Sequence, residues 1–64
     1  MYPTPKQIAI TRCRQCRLQA QYAKQRIAYC QARGYAPAVA PNQRARMAWL
    51  RKALAYRAQA RAMA

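Results

Sequence analysis

This sequence contains no acidic residue. Its 64 residues include 13 Lys and Arg and no Asp, Glu or His, so the formal net charge is +13. Like charges repel one another in a compact state, and no side-chain carboxylate is present to form a salt bridge. We therefore expect an external polyanion to neutralise the chain, with nucleic acid favoured over an anionic membrane surface.

The same composition excludes most catalytic mechanisms. General acid–base catalysis usually draws on His, Asp or Glu, and the sequence also contains no Ser. The carboxylate pair of glycoside hydrolases and the carboxylate ligands of hard cations are absent as well. The sequence predicts a protein that is not an enzyme and has no cofactor.

Large apolar side chains are scarce. Leu, Ile and Val together number seven and Phe is absent, whereas 16 residues are Ala. Few large apolar residues combined with high net charge are typical of chains that do not fold alone. We expect helices without a self-sufficient core, in a larger assembly that supplies the missing contacts.

Local signals predict an all-α fold of two helices. Thr4 can cap the first helix, Pro5 suits its first position, and Gln7 completes a capping box. Gly34 is a natural stop. The predicted segments are an N-terminal cap (residues 1–4), helix 1 (5–34), a linker (35–42) and helix 2 (43–64).

The predicted linker contains Pro37 and Pro41, which push their preceding residues toward extended conformations. Asn42 is the predicted N-cap of the second helix. A linker of this length allows either a hairpin or two splayed helices. The sequence alone leaves both arrangements open.

Helix 1 has one regular stripe of small and apolar residues. They are spaced alternately by three and four, as in the a and d positions of a heptad. This spacing predicts a close-packed contact with another helix. The residues are Cys13, Cys16, Ala20, Ala23, Ile27 and Cys30.

Helix 2 has two apolar stripes. The first stripe comprises Met47, Leu50, Leu54 and Ala58, and the second comprises Ala45, Trp49, Ala53, Tyr56, Ala60 and Met63. One stripe is enough to meet helix 1. The other would then be free for a different partner, unless Trp49 and Tyr56 simply complete a small core.

The cationic residues surround both helices instead of forming one strip. A membrane-surface helix has one basic face, and a helix in a DNA groove has its cations on one flank. Charge on several sides predicts a helix embedded among phosphates. The candidate nucleic-acid-binding residues are Arg12, Arg14, Arg17, Lys24, Arg26, Arg33, Arg44, Arg46, Arg51, Lys52, Arg57 and Arg61.

Aromatic residues lie among these cations, and Tyr22, Tyr29 and Tyr56 are candidates for stacking on bases. Ten of the 13 cations are Arg, which forms bidentate bonds to phosphate. No zinc-finger, RNP or basic-zipper pattern is present. We expect binding that is independent of nucleic-acid sequence.

The three cysteines include a CxxC, Cys13 to Cys16. A structural zinc ion needs four Cys or His ligands, and a redox CxxC sits in a βαβ context that is missing here. We expect no metal site and interpret the cysteines as small packing residues. An intermolecular disulfide, or a metal shared between chains, remains an alternative.

Neither a secretory signal nor a membrane span is expected. The longest uncharged stretch runs from Gly34 to Gln43, whereas a span needs roughly 18 apolar residues. An odd number of cysteines excludes a fully paired disulfide framework, which fits synthesis in a reducing cytoplasm.

In length, acid-free composition and its 13 basic residues, the chain resembles the small basic internal proteins of single-stranded DNA microviruses. The resemblance implies genome condensation and tethering inside the virion, with single-stranded DNA favoured over RNA. It also implies a division of labour, with cations on the genome and apolar residues on the capsid protein. The implied coat-facing residues are Trp49, Leu50, Leu54 and Met63.

The high positive charge also fits two other functions. A small ribosomal or ribosome-associated protein would bind structured RNA through 2′-hydroxyl contacts and would prefer folded RNA to single-stranded DNA. A membrane-active amphipathic peptide would make anionic vesicles leak, although charge on all sides of both helices speaks against it.

Overall fold

The computed structural model describes residues 2–63, which form an antiparallel helical hairpin. Helix α1 spans Pro5–Ala32, a single 3₁₀ turn spans Ala36–Ala38, and helix α2 spans Val39–Ala62. The start of α1 lies beside the end of α2, since Lys6 and Arg61 line the same cavity. The predicted all-α fold of two helices is confirmed, and the hairpin is the arrangement adopted.

The start of α1 is the predicted capping box. The backbone N–H of Gln7 donates to Thr4 Oγ1 (3.2 Å), and the backbone N–H of Thr4 donates to Gln7 Oε1 (2.8 Å). Pro5 occupies the first helical position. Its missing N–H costs nothing there, because the first four N–H groups of a helix have no intrahelical acceptor.

The turn after α1 is a Schellman motif. The N–H of Tyr35 donates to the Cys30 carbonyl (2.8 Å) and the N–H of Gly34 to the Gln31 carbonyl (3.1 Å). Gly34 has φ +67°, a left-handed conformation that glycine adopts without a Cβ penalty. Gly34 therefore lies two residues beyond α1, which ends at Ala32 and not at the predicted residue 34.

The start of α2 corrects the predicted linker. The helix begins at Val39 and not at residue 43, so Pro41 lies within its first turn, where a free N–H is not needed. Asn42 is not the N-cap. The N-cap residue of α2 is Ala38, and the side-chain Nδ2 of Asn42 donates to the Ala38 carbonyl (2.7 Å). At its other end, α2 stops at Ala62 and Met63 is extended, so the predicted second helix, residues 43–64, ends too late. Residue 64 itself lies outside the described residues.

Small residues hold the two helices together. All six residues of the predicted α1 stripe are buried or half-buried, which confirms their role as the helix contact. Among the described residues, no buried side chain is larger than Cys. The buried residues are Ala9, Cys16, Ala20 and Ala23 on α1 and Ala53 and Ala60 on α2. Such residues let two helix backbones approach closely but bury little apolar area each.

The stripe of α2 that contains Trp49 is the one that faces α1. All six of its residues are buried or half-buried. Trp49 and Met63 are therefore half-buried in the stripe that meets α1, and this stripe is not the one left free for a different partner. The other stripe points outward, with Met47 49% and Leu54 63% exposed and Leu50 half-buried beside them.

The hairpin is long and thin. Its Cα atoms extend over 47 × 21 × 11 Å, with a radius of gyration of 14.8 Å, whereas compact chains of this length have about 11 Å. It exposes 5296 Å² at a mass of 7.4 kDa, against about 4200 Å² for a compact monomer. Within the part of the chain described, neither helix is long and apolar enough to cross a membrane.

Candidate nucleic-acid interface

The hairpin has two broad faces, one on each side of the buried contact between its helices. At about 100° per residue, Arg14 and Arg17 project about 200° and 140° away from Arg12. The cavities agree with this separation, since Arg14 and Arg17 line one with Arg57 while Arg12 lines another with Tyr56. The cations that surround each helix in projection are thus sorted by the fold onto opposite faces.

One broad face contains most of the aromatic side chains, and we call it the aromatic face. Trp49 and Tyr56 of α2 line a cavity with residues of α1, and Tyr22 and Tyr29 line a second cavity. Gln15, Gln19, Tyr22, Arg26 and Tyr29 follow one another at spacings of four and three, which places both cavities on the same side of α1.

Cations lie over three of the four rings of the aromatic face. The Lys52 ammonium is 4.8 Å from the Trp49 ring centre, and the Arg12 guanidinium is 5.8 Å from that of Tyr56. At the turn end of α1, the Arg33 guanidinium lies 4.9 Å from the Tyr29 ring. These are cation–π distances. A cation on one face of each of these three rings can neutralise the phosphate of a base that stacks on the ring.

The three predicted stacking residues, Tyr22, Tyr29 and Tyr56, all lie on the aromatic face. Trp49, which the resemblance implies to be coat-facing, lies on this face with them. The signal for this placement was available, because Trp49 and Tyr56 are seven residues apart and therefore share a side of α2.

The opposite broad face has a cationic groove, which we call the arginine groove. It is a cavity of about 330 Å³ with an apolar floor of Ile10, Cys13 and Ala60. Five cations surround this floor. They are Lys6, Arg14 and Arg17 from α1 and Arg57 and Arg61 from α2. With no Asp or Glu in the chain, no side-chain carboxylate neutralises any of them.

The arginine groove continues along the hairpin. Arg17 and Arg57 also line an adjacent cavity whose floor is Leu50, Ala53 and Leu54. Cys13 lines both cavities. None of the described residues lining either cavity is aromatic, so this face offers charge and apolar contact without the rings found on the opposite face.

The remaining cations extend these surfaces. Lys24 lies seven residues after Arg17, and Arg46 eleven residues before Arg57, so helical periodicity places both on the side of the arginine groove. Arg44 and Arg51 line a cavity formed by α2 alone, at its outer edge. Lys6 is the cation that the predicted set omits. The sequence alone does not show that Lys6 belongs to this surface, because only the hairpin brings it beside Arg61.

The three cysteines are unpaired thiols along α1. Cys16 is buried, and Cys13 and Cys30 are half-buried. Within residues 2–63, no three Cys, His, Asp or Glu side chains come together. Their positions in the helix contact account for them as small packing residues.

Comparison of the chain with models of protein families, with curated proteins and with solved structures found no match.

Proposed function

We propose that this protein binds nucleic acid without reading its sequence and neutralises the phosphates, with single-stranded DNA as the preferred ligand. The observation that carries the proposal is the placement of the cations on both broad faces and the outer edge of α2. With no acidic residue in the chain, each of these charges is available to an external anion.

The aromatic face favours a single strand over a duplex. Base stacking on an aromatic side chain contributes about 1–3 kcal/mol per base, and only unpaired bases are free to stack in this way. Tyr22 and Tyr29 are exposed and lie beside Arg26. An unpaired base can therefore stack on a ring while its phosphate meets a guanidinium.

The same distribution of charge supports binding without sequence preference. Readers of the major groove present a few base-contacting side chains from one flank of a helix. This hairpin instead presents Arg and Lys on several sides, and contacts of such residues with phosphate carry no sequence information.

We further propose that binding takes place within a larger assembly, most simply genome condensation and tethering inside a viral capsid. The outward stripe supports this setting at Met47 and Leu54, whose side chains are exposed. Leu50 is half-buried and lines the continuation of the arginine groove with residues of α1. This stripe replaces Trp49 and Met63 as the surface for a capsid protein.

The salt dependence of binding tests the proposal. Neutralising about seven to ten phosphates on a single strand predicts a slope of log K against log salt of roughly −5 to −7. Affinity for an oligonucleotide long enough to reach every cationic surface should fall about a thousandfold to ten-thousandfold between 50 and 200 mM salt. Fluorescence anisotropy measures both quantities.

Scrambled oligonucleotides and a folded RNA hairpin serve as comparison ligands in the same titration. Equal affinity for all scrambled sequences is expected, with weaker binding to the folded RNA. A slope near −2, or strong preference for one sequence, contradicts sequence-independent neutralisation. Preference for the folded RNA would instead identify a protein of the ribosomal kind.

A further inference from the structure

We propose that the hairpin has two separate nucleic-acid sites on its opposite broad faces, so that one chain bridges two strands. This inference rests on the proposed function and adds to it a second site and an activity, the joining of separate nucleic-acid segments. It requires two sites that differ in position, that cannot be served by one short strand, and that each have enough charge to bind.

The two sites differ in position because buried residues separate them. On α2, Ala53 and Ala60 lie in the contact with α1, with Arg57 and Arg61 on one side and Lys52 and Tyr56 on the other. A phosphate in the arginine groove therefore lies across the helix pair from a base on the aromatic face.

A short strand cannot occupy both sites. The helix pair is 21 Å wide at its Cα atoms, before any side chain is added. A strand of about six nucleotides is near the lower end of single-strand site sizes. When it binds along one face, its whole length lies on that face. To reach the other face it would have to pass round the edge of the hairpin.

Each site has its own charge and its own chemistry. The arginine groove has five cations around an apolar floor and accepts the phosphate backbone by charge alone. The aromatic face has fewer cations but adds four rings, which contribute stacking. Because neither site depends on the other's residues, each can be disabled alone.

The experiment uses the full chain and two short oligonucleotides, one with a donor fluorophore and one with an acceptor. Bridging predicts energy transfer that is maximal at one chain per two oligonucleotides and falls when protein is in excess. Native mass spectrometry should show one chain with two oligonucleotides. A complex of one chain with one oligonucleotide, or of two chains with two, overturns the proposal.

Two charge-matched variants test the sites separately. The groove variant is Arg14→Gln, Arg17→Gln and Arg57→Gln, and the aromatic-face variant is Arg12→Gln, Arg26→Gln and Lys52→Gln. Each removes three charges. Each should reduce the stoichiometry from two oligonucleotides to one and abolish energy transfer, while the intact site keeps its affinity within a few-fold.

The edge variant Arg44→Gln with Arg51→Gln removes two binding cations that lie outside both proposed sites. It should weaken binding overall but still take up two oligonucleotides. If both triple variants only weaken binding and still take up two oligonucleotides, the charge acts diffusely and the two-site proposal is wrong. The proposed function survives that result, since binding and its salt slope persist. The proposed function fails separately, if the unaltered chain does not bind, or binds with a salt slope near −2 or a strong preference for one sequence.

Discussion

At the scale of single residues, the fold distinguishes tyrosines that look alike in the sequence. Tyr29 is 60% exposed and Tyr35 is 61% exposed. Tyr29 lines a cavity on the aromatic face and has Arg33 over its ring, whereas Tyr35 lies in the turn and lines none of the cavities described above. The two residues therefore form a matched pair for testing base stacking.

Replacing Tyr29 with Leu should weaken binding of single-stranded DNA by roughly 5- to 150-fold, which corresponds to about 1–3 kcal/mol for one stacked base. Tyr35→Leu removes a ring of equal exposure and should change affinity less than threefold. Anisotropy titrations at one fixed salt concentration measure both variants.

Equal loss of affinity in the two variants would mean that tyrosines contribute wherever they are exposed, and the aromatic face would not be a distinct site. Circular dichroism of each complex tests whether a loss of affinity results from a loss of helix content. Leu is at least as good a helix former as Tyr, so helix content should not fall.

At the scale of the helices, the periodicity of the sequence predicts which residues lie in the helix contact, but not where each helix begins. The spacing of three and four from Cys13 to Cys30 identified the residues of α1 that contact α2. The sequence does not predict the start of α2 at Val39, because Pro41 also suits a linker. A proline is equally compatible with a first turn, and local sequence does not separate these cases.

The pairing of the helices should depend on the small size of Ala23, which is 1% exposed. Ala23→Leu overpacks the contact and should lower the free energy of unfolding by about 1–3 kcal/mol. Ala28→Leu makes the same change at an exposed position of α1 and should have little effect. Urea unfolding of the DNA-bound protein, followed by circular dichroism, compares the two variants.

Equal midpoints for these two variants would mean that α1 and α2 do not pair through this stripe, and the division into two faces would lose its basis. The candidate site depends on that pairing more than the helices do. The cations and tyrosines were readable from the sequence. Their grouping was not, because the arginine groove combines Lys6 with Arg61 from opposite ends of the chain.

At the scale of the whole molecule, the large exposed surface and the small core should make the free hairpin unstable. The six described residues that are buried are all Ala or Cys, and 13 cations with no acidic side chain among them repel one another. The free chain should be only partly helical in low salt and should gain helix when a polyanion is added.

Circular dichroism with and without single-stranded DNA, and with polyphosphate as a polyanion that lacks bases, measures this gain. Both polyanions should raise the helix content, because neutralisation alone relieves the repulsion. A cooperative thermal melt of the free monomer in low salt would show that the Ala and Cys contact suffices, contrary to this expectation.

The thinness of the hairpin sets how strongly its two faces sense each other. Its Cα atoms span only 11 Å in the shortest direction. The Debye length is about 8 Å at physiological ionic strength and about 30 Å at 0.01 M. For the two sites proposed above we therefore predict negative cooperativity in dilute buffer, because a strand on one face lowers the potential that attracts a strand to the other. Near physiological ionic strength this coupling should be largely screened, and the two proposed sites should fill almost independently.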